Sequence, residues 1–287
     1  MGELTFFLGL QVKQLKDGTF ISQTKYTREL MKKFGMEDSP SAKTPVDLSL
    51  HLAKNRGEPV SQLEYARVIG SLMYLTHARP DIAYAVSVVS QFMHNPKDVH
   101  LQAVHWILHY LKASPGKGII FRRNKRLILE AYTDTDYGGS LVDRKSTTGY
   151  CTFLVGNLVT WRSKKKNVVA RSSAEAEFRA MAQGICELLW LKIILDDLKI
   201  KWDGPMRLYC DNNSAISIAH NPVQHDRTKH IEIDGHFIKE KLESGLICTP
   251  YVSSGNQFAD VLTKGLNSAT FHQMIAKLGM EDSYSPA

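Results

Sequence analysis

An acidic side chain set at the tip of an apolar, β-favouring run governs how this chain can fold. Leu127-Ile128-Leu129-Glu130-Ala131-Tyr132-Thr133 has the composition of a strand, and it runs directly into Asp134. A carboxylate buried at a strand end is costly unless something cationic shares its site. Three further acids sit where they can reach the same place: Glu177 in Ser172-Ser173-Ala174-Glu175-Ala176-Glu177-Phe178, Asp211 after Leu208-Tyr209-Cys210, and Asp260 in Gln257-Phe258-Ala259-Asp260. Four acids from four elements suggest a site for divalent metal.

The surrounding pattern gives these acids a frame. Candidate strands cover 127–133, 149–155 and 158–162, followed by a long helix from Ser172 or Ser173 to about Lys199, with Glu175 in its first turn. A fourth strand, 207–210, precedes a short helix at 212–220. A helix over 228–243, a fifth strand over 246–252 and a helix over 257–264 complete a mixed α/β order. Upstream, 6–12 and 19–22 flank the turn Lys16-Asp17-Gly18 and read as a hairpin. Short helices are expected over 26–34, 65–76, 80–92 and 99–111, with a long polar connection at 38–59 and a basic joint at 121–126.

Charge separates the halves. Residues 1–126 hold 18 Lys/Arg against 10 Asp/Glu, whereas 127–287 hold 18 against 19. One half therefore supplies a field for a polyanion, and the near-neutral half carries the acids. Four scattered cysteines without a Cys-x-x-Cys pair point to reduced core thiols in an intracellular protein, in cytoplasm or nucleus. No secretory pattern or membrane-length apolar run is found, so no membrane partner is expected. His105 and His109 share a helix face, and His225, His230 and His236 fall in or before another helix. Neither group has a cysteine at zinc-ligand spacing.

The second half resembles the RNase H domain of copia-type LTR-retrotransposon Pol polyproteins. The resemblance rests on Ala131 to Gly139 continued by Asp143-Arg144-Lys145-Ser146-Thr147-Thr148-Gly149-Tyr150, on Trp161-Arg162-Ser163-Lys164-Lys165, and on Ser172 to Phe178. Asp211-Asn212-Asn213-Ser214-Ala215-Ile216, Arg227-Thr228-Lys229-His230-Ile231 and Ala259-Asp260-Val261-Leu262-Thr263-Lys264 follow in the family's order. The first half is similar to the end of the reverse transcriptase of the same polyproteins, through Phe7-Leu8-Gly9, Lys32 to Met36, Val68 to Thr76 and Arg79 to Val86. The family's polymerase motif, Tyr-x-Asp-Asp, does not occur in the chain, so no DNA synthesis is expected.

The resemblance implies an RNase H-like mixed five-stranded sheet with helices over 127–270. A hairpin and a mostly helical thumb and connection region precede it over 1–126, and a tail follows over 271–287. It implies hydrolysis of the RNA strand of an RNA/DNA hybrid with two Mg²⁺ ions, or Mn²⁺ in their place. Asp134, Glu177 and Asp211 would be the core ligands and Asp260 the fourth, with Glu175 and Asp136 as competitors. Hard cations of this kind want carboxylate oxygens. Arg144, Lys145, Lys164, Lys165, Lys166 and Arg171 are candidates for phosphate contacts, and the rest of a Pol polyprotein is an expected partner. The family's mobile histidine before the last acid has no counterpart in Ser253-Ser254-Gly255-Asn256. Two alternatives of other classes are a nucleic-acid-binding module without catalysis and a decayed element remnant that does not fold alone.

Overall fold

The computed structural model describes residues 4–50, 52, 56–124, 126–140, 143–201, 204–221 and 229–283, with the side chains of 229–232 excepted. His225, Arg227 and Thr228 lie outside the described residues, as does the side chain of His230. The chain forms two compact units, one of residues 1–123 with 265–287 and one of 124–264.

The first unit starts with β1 (Phe6–Phe7), β2 (Leu10–Leu15) and β3 (Gly18–Ser22). The hairpin expected about Lys16-Asp17-Gly18 forms, with β2 antiparallel to β3, but its first strand, expected over 6–12, is interrupted where Leu8 (φ 47°) and Gly9 (φ 78°) turn the chain and lay β1 antiparallel on β2. Glycine suits this left-handed backbone, and a Cβ on Gly9 would sit 1.8 Å from the Tyr74 hydroxyl oxygen. Helices α1 (Thr24–Lys33), α2 (Gln62–Leu75), α3 (Ala83–Ser90) and α4 (Asp98–Ala113) follow. Ser61 caps α2 by accepting from the Glu64 N–H, and Tyr65, Val68, Ile69, Leu72 and Leu75 line its buried face at helical spacing. Pro80 opens a 3₁₀ turn, Pro80–Ile82, before α3, so the expected helix over 80–92 is two pieces. Strand β4 (Lys117–Arg122) then pairs with β3. Residues 121 and 122, read from sequence as part of a basic joint, are strand.

The second unit holds β5 (Leu129–Asp136), β6 (Thr147–Leu154), β7 (Asn157–Lys165), α5 (Ser173–Asp197), β8 (Met206–Tyr209), α6 (Asn213–His220), α7 (Lys229–Glu243) and β9 (Ile247–Cys248). The expected strand over 246–252 is shorter, with a single further bridge between Cys210 and Tyr251. Strand order is β7-β6-β5-β8-β9, with β6 antiparallel to β5 and β7, and β5, β8 and β9 parallel. Numbered within the unit that order is 3-2-1-4-5, an RNase H-like mixed sheet. Helix α5 packs on one face, where Phe178, Met181, Ile185 and Leu188 meet Leu129, Ala131 and Leu208.

Gly184 sets how near α5 comes. A Cβ there would lie 2.5 Å from Thr133 Cγ2 and 2.8 Å from Leu208 Cδ1. Gly184→Val is therefore expected to destabilise the protein by about 1–3 kcal/mol through overpacking, measured by urea unfolding of the full chain. A variant as stable as the parent would show that the helix can back away freely.

The chain finally returns to the first unit. Helix α8 (Ser268–Lys277) leads to β10 (Met280–Asp282), which pairs antiparallel with β4 and completes the sheet β1-β2-β3-β4-β10. Residues 265–287 group with 1–123, whereas the sequence reading set its division at 270 with a tail beyond. Beside its helices the first region contributes four strands, β1 to β4, to that antiparallel sheet. All four cysteines are free, but only Cys151 and Cys210 are buried, and Cys186 is exposed.

Candidate active site

Strand β5 carries Asp134 into a nearly closed setting, 3 % exposed. Its register partner on β6 is Gly149, where a Cβ would fall 2.8 Å from both Leu262 Cβ and Thr263 Cγ2. The missing side chain lets the 3₁₀ turn Phe258–Leu262 come close. Thr263 Oγ1 donates to Asp134 Oδ2, and the buried Gln257 donates from Nε2 to the Thr133 carbonyl at 2.9 Å. Phe258 stacks on Tyr132 with ring centroids 4.4 Å apart. The last acid is thereby fastened beside the first.

Glu177 lies in the second turn of α5, which Ser172 starts by capping the Glu175 N–H. Its Oε1 accepts from the Thr135 N–H at 3.0 Å. Its Oε2 is buried and has no hydrogen-bond partner among the described residues. Asp211 follows β8, and its Oδ2 accepts from Ser254 Oγ at 2.9 Å. A carboxylate oxygen of Glu177, one of Asp211 and Cys210 Sγ lie within 4.8 Å of one another. Asp260 Oδ1 is 2.9 Å from Lys264 Nζ, which is also 3.6 Å from Asp134 Oδ2.

The electrostatics report the same convergence. Burial pushes the Glu177 carboxyl well above the ordinary range, and Asp134 and Asp211 push it further, against the Thr135 N–H and Lys264. Burial also raises Asp260, with Asp134 adding and Lys264 opposing. Burial alone would lower Lys264, yet Asp134, Asp260 and Asp211 outweigh it and hold the ammonium up to about 12. Asp134 and Asp211 each act on both Glu177 and Asp260, which links the four acids named from sequence.

The competitors separate. Glu175 turns to Arg179, 2.8 Å away, and accepts from the Arg171 N–H. Asp136 is half-buried near Asp134 and Lys264, its carboxyl raised mainly by burial. Sequence reasoning passed over Gln257, Thr263, Lys264 and Cys210, although the run Ala259 to Lys264 had been singled out and only its acid used.

The six basic candidates do not form one patch. Lys164 pairs with Thr148 and Arg162 with Tyr150, so these two share a sheet face, whereas Lys165 points to the other. There Lys165 is committed to Asp143 at 2.8 Å and to Ser140. Lys166 is lowered to about 8 by burial and by Arg179, Lys164 and Arg162, partly offset by Asp234. Arg162 and Arg179 are therefore cationic neighbours that the sequence reading did not include. Arg144, with a left-handed φ of 54°, and Arg171 are exposed, and Lys145 is half-buried.

The donor set suits a hard divalent cation. Buried carboxylates from separate elements supply oxygen, and the unpartnered Glu177 Oε2 is an acceptor that a cation would satisfy.

By its sheet order, the second unit is an RNase H-like domain. No protein-family model matches the chain. It is 40% identical over 279 residues to a retrovirus-related Pol polyprotein from transposon RE1 of Arabidopsis thaliana, covering 97% of this chain and 19% of the relative. An uncharacterized mitochondrial protein of the same plant is 37% identical over 190 residues, covering 66% of this chain and 79% of the relative. Among solved structures, a foamy viral protease–reverse transcriptase in complex with an RNA/DNA hybrid aligns with a TM-score of 0.48 at 12% identity, covering 88% of this chain and 29% of that one. Over nearly its whole length the chain is similar to copia-type Pol polyproteins of retrotransposons. It spans about a fifth of the length of the Pol relative it matches. Among the described residues, no helix is long and apolar enough to cross a membrane.

Proposed function

We propose that the second unit is a ribonuclease H that cuts the RNA strand of an RNA/DNA hybrid with divalent metal, Mg²⁺ or Mn²⁺, held by Asp134, Glu177, Asp211 and Asp260. The observation that carries this reading is the meeting of four carboxyls from β5, α5, the end of β8 and the 3₁₀ turn, two of them, Glu177 and Asp260, with a buried oxygen that has no hydrogen-bond partner among the described residues. Bound metal supplies an activated water and stabilises the leaving 3′ oxygen. The chain's own part is positional. Thr263 and Gln257 fix Asp134 and the turn bearing Asp260, the Thr135 N–H orients Glu177, and Ser254 orients Asp211.

Substrate choice follows from shape, since 2′-hydroxyls in a wide minor groove distinguish an RNA strand from DNA. Arg144, Lys145, Lys164, Lys166 and Arg171, joined by Arg162, offer cations to phosphates, which set register without reading sequence. Lys165 contributes less, being tied to Asp143. With no Tyr-x-Asp-Asp in the chain, nucleotide addition is not expected of it.

Incubating the purified chain with a hybrid labelled on each strand, in Mg²⁺, tests the reading. Cleavage of the RNA strand alone is expected, and it should be lost in Asp134→Asn and Glu177→Gln. A folded protein that binds the hybrid but cuts neither strand would leave only a nucleic-acid-binding module.

A further inference from the structure

The acid cluster is unevenly satisfied. At the Glu177–Asp211 half, Glu177 Oε2 has no partner among the described residues. At the other half, Asp260 Oδ1 likewise lacks a well-formed hydrogen bond, but the Lys264 ammonium supplies an ion pair, 2.9 Å from it and 3.6 Å from Asp134 Oδ2. The backbone dictates this placement. The Thr263 and Lys264 N–H groups both donate to the Asp260 carbonyl, at 3.1 and 3.2 Å, so the chain curls at the end of the 3₁₀ turn and carries the Lys264 side chain back over Asp260.

We propose that Lys264 is a built-in counter-ion of the Asp134–Asp260 half, so that the free protein takes one divalent cation at the Glu177–Asp211 half and takes a second only by displacing the lysine. This rests on the metal reading above. Carboxylates crowded together repel, and a cation among them relieves the repulsion. An ammonium is a compact charge on a flexible stem, so it can fill that role and also leave it. The Lys264 side chain is 38 % exposed, which gives it a way out to solvent, whereas Asp134 and Asp260 beneath it are buried. Lys264 is accordingly a positioning residue that sets how readily the second cation enters.

Titrating the full chain with Mn²⁺ by calorimetry, without nucleic acid, separates the possibilities. The parent should take one ion per chain with a much weaker second. Lys264→Met should take two, with the second bound about 10–100-fold more tightly than in the parent. Lys264→Arg should behave like the parent. In EDTA, Lys264→Met should melt below the parent, and Mn²⁺ should more than restore it. Lys264→Gln is a second neutral variant if the methionine one folds poorly, with circular dichroism as the check. Equal stoichiometry and affinity in parent and neutral variants would overturn the proposal while leaving the metal reading intact. Absence of Mn²⁺ binding in every variant would overturn both. Asp211→Asn tells the halves apart, because it should remove the first ion whether or not Lys264 is present.

Discussion

In EDTA near neutral pH, Glu177→Gln is expected to be more stable than the parent by a few kcal/mol, about 1.4 per unit of pKa displacement relieved, while losing hybrid cleavage. The carboxyl is buried, and its folded pKa lies well above the ordinary 4.5, mainly from burial and then from Asp134 and Asp211. A raised folded pKa means that the unfolded chain releases this proton first. Stability is therefore full below about pH 4.5 and falls as pH climbs toward the folded value. Glutamine keeps the acceptor for the Thr135 N–H and removes the charge, so the variant's metal-free stability should be flatter from about pH 5 to about pH 9. Mg²⁺ should reverse the ranking, because a ligand that binds only the folded parent stabilises it by mass action. Thermal melts of both proteins in EDTA and in Mg²⁺ across that range check this. A variant less stable than the parent in EDTA would mean that the charge is already well solvated.

Arg79→Met should cost the first unit about 3–5 kcal/mol, the usual loss when one partner of a buried ion pair is removed. Arg79 is 1 % exposed and engages Asp81 through Nε at 2.9 Å and Nη2 at 2.8 Å. It also donates to the Ser114 carbonyl at 2.9 Å and to Ser114 Oγ at 3.0 Å. Tyr110 donates to the same Asp81, and Lys117 reaches the Tyr110 hydroxyl at 3.3 Å. Burial alone would raise Asp81, but Arg79 outweighs it and holds the carboxyl below 3.8. The pair's contribution is thus present above that pH and lost as pH falls through the lower folded value. Replacing both partners, Arg79→Met with Asp81→Leu, should recover part of the loss, since no lone buried charge remains. Urea unfolding of the single and double variants measures it. A single variant within about 0.5 kcal/mol of the parent would show that water reaches the abandoned Asp81.

The acids were legible as candidates because each stands near the start or end of a patterned element, whereas the preference for Glu177 over Glu175 and the grouping of Asp134, Glu177, Asp211 and Asp260 as ligands came from the family resemblance. What local pattern could not supply was pairing at long separation. β4 reads as the approach to a basic joint until β3 and the distant β10 are seen on either side of it. Lys164-Lys165-Lys166 looks like one basic stripe, yet alternation along β7 sends Lys164 and Lys165 to opposite faces and gives Lys165 to Asp143. Lys264 was hidden for a different reason. A lysine four residues after an acid looks like an ordinary surface pair, and only the close approach allowed by Gly149 shows that the same ammonium also touches Asp134.

The return of β10 to β4 has a consequence for synthesis. A ribosome makes β1 to β4 first, then the whole second unit, and only afterwards residues 280–282. Throughout that interval one side of β4 has no strand beside it, an open edge able to recruit another chain. A premature stop or a protease cut just beyond Lys264 would make that exposure permanent, leaving the acid cluster intact and damaging a sheet laid down before it.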